Sequence, residues 1–205
     1  MHLDAVDNLE RAEWARASVS TLVDHGPCCA AARGWIVAMS RSVDFAATDG
    51  LTFAAPRWLM HRWKWGPTCW PISWCEAINA EAIDCGVFAA FAREIFRAKG
   101  VEAYGGQVLR TCAESTTAHW RARWAAVPGA FNWIGEDTVY HEVCVVRSGP
   151  AEVRLYDPTD GTWLEHAVHG GHGGHLAIRA ELPVALQWGP HTLVNGQWTE
   201  VAQRV

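Results

Sequence analysis

Nowhere in the 205 residues is there an apolar run near the ~18 that a bilayer crossing demands. The opening stretch MHLDAVDNLERAEWARASV also lacks the continuous apolar region of a secretory signal. Both absences make a water-borne, cytoplasmic chain the expectation, with no membrane among its partners. Excess positive charge is missing too. Seventeen Lys and Arg face twenty-two Asp and Glu, a net charge of −5, which leaves no general footprint for nucleic acid. There is no Cys-x-x-Cys pair, so a cysteine zinc knuckle is not expected. Neither a composition break nor an internal repeat divides the chain, and residues 1–205 read as one domain.

What is present is a packed globular composition, half apolar and 19% charged. Seven cysteines, at 28, 29, 69, 75, 85, 112 and 144, are an odd number in a chain large enough to do without disulfides. Most of them read as small buried hydrophobes. Thirteen tryptophans require an aromatic core or an aromatic-lined pocket.

Periodicity orders these residues into helices first and strands later. Residues 4–24 and AARGWIVAMSRSV carry helical patterns, and STTAHWRARWAAV places Trp120 and Trp124 one turn apart. Residues 51–76, with three prolines and five tryptophans, keep no period. VEAYGGQVLR is a strand candidate interrupted by two glycines. TVYHEVCVV and EVRLYDPT are β-branched runs flanking the turn signal RSGPA, and HTLV-NG-QWTEV is a hairpin with an Asn-Gly turn. That order argues for an α+β domain.

The chemistry concentrates in EAIDCGVFAAFAREIFRAKG, residues 81–100. Asp84 is a good N-cap and puts Cys85 at the first helical position. Ile83 and Phe88 suit a hydrophobic staple, and Gly100 closes the helix. Val87, Phe88, Phe91, Ile95 and Phe96 form the buried stripe, leaving Arg93, Glu94, Arg97 and Lys99 to solvent. A thiol at this helix start faces the positive end of the dipole, which favours thiolate. A nucleophilic thiol needs a base and a group to orient that base. His141 and Asp157 each stand eight residues from Gly149, so a regular hairpin centred there sets them opposite one another on one face. A one-residue slip in one strand would separate them.

Cys85 at a helix head, YHEVCVV and RLYDPTDGTW together resemble the core of the transglutaminase-like group of the papain-like superfamily, over residues 80–163. The resemblance implies a Cys-headed helix packed on an antiparallel sheet, with helices before it. It also implies Cys85 as nucleophile, His141 as general base and acid, and Asp157 as the group that orients the imidazole. The chain departs from the pattern in Ile-Asp-Cys-Gly, where Gly-x-Cys is common, and in Val143, where an aromatic is common. Relatives of papain place an amide donor a few residues before the cysteine, and Asn79 is the nearest candidate, with the Cys85 N–H as the second donor.

Other residues carry alternatives. His119, beside Trp120 on a helix, is a rival base. His166, His169, His172 and His175 recur every third residue, but Gly170, Gly171, Gly173 and Gly174 make their segment a poorly preorganised metal site and a better flap or solvated loop. Among the upstream tryptophans, Trp70 and Trp74 are candidates to line a substrate pocket. Arg57, Arg62 and Lys64 alternate with the rings and suit an anionic group.

The expected function is thiol-dependent acyl transfer through a Cys85 thioester, forming or exchanging an amide on a peptide-like or small-molecule acyl substrate, free or carrier-bound. A cysteine peptidase or amidase with the same triad is the close alternative, and a noncatalytic binding module that keeps the fold is the second. Neither a metal nor an organic cofactor is needed.

Overall fold

The central element is the helix over Cys85–Ala98, and its ends show why it starts and stops there. Asp84 caps it: one carboxylate oxygen accepts from Val87 N at 3.1 Å, while its own N–H donates to Thr68 Oγ1 at 2.8 Å. At the other end Gly100 adopts φ 77°, the Gly100 N–H bonds the Arg97 carbonyl, and the Val101 N–H bonds that of Phe96. This is the Schellman closure that a glycine at that position permits.

In the computed structural model the described residues are 20–42, 58–130, 132–147, 153–164, 175–180, 186–188, 191–194 and 197–200. The helices among them are α1 (Pro27–Ser42), α2 (Leu59–Arg62), α3 (Trp74–Asn79), α4 (Cys85–Ala98) and α5 (Glu114–Ala125). The strands are β1 (Lys64–Trp65), β2 (Ala82–Ile83), β3 (Ala103–Thr111), β4 (Thr138–Arg147), β5 (Val153–Asp157), β6 (Thr162–Trp163), β7 (His175–Ala180), β8 (Leu186–Trp188), β9 (His191–Val194) and β10 (Gln197–Glu200). The molecule is therefore α+β. Its main sheet runs β6-β5-β4-β3-β7, antiparallel throughout, and a second antiparallel sheet runs β10-β9-β8. No helix among the described residues is long and apolar enough to cross a membrane.

Helix α4 packs on β3 and β4 and also meets α1. It is buried from Cys85 through Phe96 except at Glu94, because elements cover it from both sides. Ile36, Trp63, Trp74, Phe91, Ile95 and Phe96 belong to one core with Cys144, Val146 and Tyr156 of the sheet. Arg93 departs from the solvent-facing role expected of it: it is 7% exposed, and Nη2 donates to the Ser20 carbonyl at 2.8 Å. The helix is too enclosed for a polar stripe, so the guanidinium finds a buried carbonyl instead.

The expected first helix over residues 4–24 lies mostly outside the described residues. Its last part is extended, with Val23 bridging Ser73 through bonds to Ile72 O and from Trp74 N. β3 runs unbroken through Gly105 and Gly106, where the sequence reads as interrupted. A Cβ on Gly106 would lie 2.8 Å from Val145 Cγ2, so the glycine admits a close cross-strand valine.

One disulfide, Cys28–Cys75, ties α1 to α3 across 47 residues. It corrects the expectation that this chain dispenses with such links. Cys29, Cys85 and Cys144 are buried, whereas Cys69 is exposed.

Candidate active site

Cys85 heads α4 and is 3% exposed. Its surroundings are fixed by the cap. Trp70 Nε1 donates to Asp84 Oδ2 at 2.6 Å, so the indole lies over the helix start. A Cβ on Gly86 would stand 2.3 Å from Ser20 Oγ and 3.1 Å from Trp70 Cζ2. Ser20 and Trp70 occupy the space a side chain would need, which is why this turn holds glycine.

On the sheet, His141 Nε2 and Asp157 Oδ2 are 2.7 Å apart, both groups buried. Asp157 Oδ2 also accepts from Arg110 Nη1 at 3.3 Å, and Oδ1 accepts from Thr159 N at 2.9 Å and Thr159 Oγ1 at 2.7 Å. Burial alone would raise this carboxyl. The His141 and Arg110 charges and the hydrogen bonds from His141 and Thr159 outweigh burial and hold it far below the usual carboxylate range.

The pair is not directly cross-strand. Cys144 pairs with Tyr156 and Arg147 with Val153, a register centred on position 150 rather than 149. Continued one residue, that register sets Asp157 opposite Val143, two residues along from His141. A two-residue offset preserves the face, and the imidazole reaches diagonally.

Alternation along β4 sends Tyr140, Glu142 and Cys144 to the α4 side, where Cys144 Sγ meets the Ala89 carbonyl at 3.3 Å. His141, Val143 and Val145 turn to the other face. Among the described residues, no hydrogen bond joins Cys85 to His141. The structure thus brings His141 and Asp157 together, and it sets Cys85 on the neighbouring element.

A residue the motif passes over, Glu142, is linked to that helix head through Ser20. Glu142 is fully buried, accepting from Ser20 N at 3.1 and 3.2 Å, from Ser20 Oγ at 2.5 Å and from the Tyr140 hydroxyl. Ser20 in turn abuts Gly86. The signal was a glutamate between Tyr140 and Cys144 at core-facing spacing. Arg110 and Thr159 were equally unforeseen as partners of Asp157.

The remaining candidates are dispersed. Asn79 is exposed and donates to the Cys75 carbonyl at 2.8 Å. Trp74 is buried, stacked on Phe91 at 5.5 Å with the Arg33 guanidinium 5.1 Å from its ring. His119 is exposed on α5. Positions 166–174 of the His-rich segment and Arg57 lie outside the described residues. Arg62 lies over Trp63, and Lys64 pairs with Glu81 in solvent.

Trp65 packs on Trp120 and Trp124, and a cavity of about 210 Å³ beside them is lined by Arg121, Trp124, Asn132 and Ile134. Trp124 Nε1 and Asn132 Nδ2 are buried donors without a partner there. No family model, curated protein or solved structure matches the chain.

Proposed function

We propose that the protein is a thiol acyltransferase of transglutaminase-like or papain-like architecture, acting on a peptide-like or small-molecule acyl group through a Cys85 thioester. The observation that carries this reading is the buried His141–Asp157 hydrogen bond, with Thr159 and Arg110 fixing the carboxylate. Such an arrangement orients an imidazole and stabilises its protonated form. Asp157 takes Nε2, so Nδ1 is left to move the proton. Cys85 loses its proton to Nδ1 and attacks the carbonyl, and the imidazolium returns the proton to the leaving group. Because His141 turns to the face of β4 away from α4, this step requires a rearrangement that brings the imidazole and the head of α4 to the same side of the strand. An amine then resolves the thioester; water in its place would make the same triad a peptidase or amidase.

A second reading has its own support. His141 turns to the face of β4 away from α4, which suits a noncatalytic module in which the pair only stabilises the sheet. Thiol alkylation at neutral pH, read by peptide mass, separates the two. Cys69 serves as the exposed reference, and Cys144 as the inert one, its thiol pushed up by burial to about 12. The enzyme reading expects Cys85 to label about tenfold faster than Cys69, His141→Ala to abolish that advantage, and an activated acyl ester to leave an acyl mass on Cys85 alone. Cys85 labelling no faster than Cys144, with no acyl adduct, would leave the noncatalytic module.

A further inference from the structure

Helix α1 begins at Pro27, so the adjacent Cys28 and Cys29 fall in its first turn. The loop before it is held by Asp24, which accepts from Gly26 N at 3.0 Å and from Arg33 at 3.1 Å. Cys75 sits at the second position of α3, behind the Ser73–Glu76 capping box. Cys28 is joined to Cys75, yet a third sulfur is present: Cys29 Sγ lies 3.5 Å from Cys75 Sγ. Cys75 has no proton in the disulfide, so Cys29 is the thiol and Cys75 the sulfur it faces. A structural staple needs two cysteines. Here the third is fully buried against the bond, while Cys28 is exposed.

We propose that Cys28, Cys29 and Cys75 form a thiol–disulfide exchange site, separate from Cys85, whose external partners are small disulfides of the glutathione class. The Cys29 thiolate attacks Cys75 Sγ. The Cys29–Cys75 bond forms as Cys28–Cys75 breaks, and Cys28 leaves as the thiolate. The proton given up by Cys29 balances the one Cys28 can take, and no net oxidation occurs. The leaving sulfur belongs to a residue in the first turn of a sixteen-residue helix, whose positive end favours an anion. Once freed at the surface, Cys28 attacks an external disulfide, forming one mixed disulfide and releasing one thiol. Because Cys28 and Cys29 are neighbours, either pairing keeps α1 tied to α3.

The test uses the whole chain oxidised with glutathione disulfide, then exposed to N-ethylmaleimide at neutral pH and mapped by non-reducing peptide mass spectrometry. The expected result is a mixture of Cys28–Cys75 and Cys29–Cys75 pairings, with the glutathione adduct confined to Cys28 and maleimide accumulating on the Cys28 that remains a thiol. In Cys29→Ala, Cys28 should label at least about tenfold more slowly, because nothing internal opens its bond. Cys28→Ala, which leaves the core untouched, should form Cys29–Cys75. Equal Cys28 labelling in wild type and Cys29→Ala, a sole Cys28–Cys75 pairing, or no Cys29–Cys75 bond in Cys28→Ala would each overturn the proposal. Cys85→Ala should leave the exchange unchanged. A loss there would make Cys85 the attacking thiol and overturn it too, so the acyl-transfer reading is judged on separate data.

Discussion

Asp157 shows what a single residue contributes when burial and charge oppose one another. The carboxyl has no exposed surface, and its ionised form survives because His141, Arg110 and Thr159 supply charge and hydrogen bonds. Its folded pKa lies below its unfolded value. The stabilisation is therefore complete above the unfolded pKa of about 3.9, and it is lost as pH falls below that value toward the folded one. Asp157→Asn should cost about 3–5 kcal/mol at neutral pH, because Arg110 and His141 lose their buried counter-charge. Urea midpoints measured from pH 7 to pH 2.5 check this: wild type should weaken through the acid range, and the variant should give a flatter profile. An equally steep loss in both would remove Asp157 as the cause. Thr159 meets Asp157 from two residues along the chain, whereas Arg110 arrives from a strand 47 positions away in sequence, and neither contact was read from the motif.

At the scale of elements, α4 was legible almost throughout. Asp84, the apolar stripe and Gly100 are local signals, and local physics starts and stops a helix. What its far side meets was not legible. Arg93 and Gly86 are shaped by Ser20, a residue more than sixty positions upstream. Gly86→Ala should expose this. Helix propensity alone predicts a gain of about 1 kcal/mol. The clash with Ser20 and Trp70 should instead give a net loss of about 1–3 kcal/mol, read as a lower urea midpoint. A raised midpoint would mean that Ser20 yields without cost. The hairpin of β4 and β5 illustrates the complementary limit. Its existence follows from β-branched runs and a turn signal, but a one-position shift of the turn's centre moved Asp157 from opposite His141 to diagonal. The contact survived because the displacement in pairing is two, an even number.

For the whole molecule, the cross-link between α1 and α3 is the largest departure from composition-based expectation. Such bonds persist in oxidising surroundings and open in a reducing cytosol, so the state of Cys28–Cys75 reports the compartment. Closing a loop of 47 residues should stabilise the fold by about 2–4 kcal/mol. A phosphine reductant should therefore lower the denaturation midpoint, and Cys75→Ala should reproduce that loss. Cys28→Ala should retain most of the stability, since Cys29 can take over the pairing. Identical midpoints with and without reductant would show that the link adds nothing to stability. Among the described residues the aromatic rings gather in several groups rather than one pocket, one of them Phe96, Tyr156 and Trp163 between α4 and the sheet. Trp63, Trp74 and Phe91 fill the core behind α4, and Trp65, Trp120 and Trp124 pack together beside a cavity.

By itself the sequence determined what depends on neighbours along the chain: the α+β order of elements, the capped helix headed by Cys85, the strands of the later half and the Asn-Gly hairpin. These follow from periodicity, caps and turn chemistry, which act over a few residues. Only the tertiary structure decided which thiols share a bond, which face of β4 each side chain takes, and that Ser20 and Glu142 fill the space beside the helix head. Those outcomes are set by contacts between distant segments, where packing rather than local preference chooses among the alternatives.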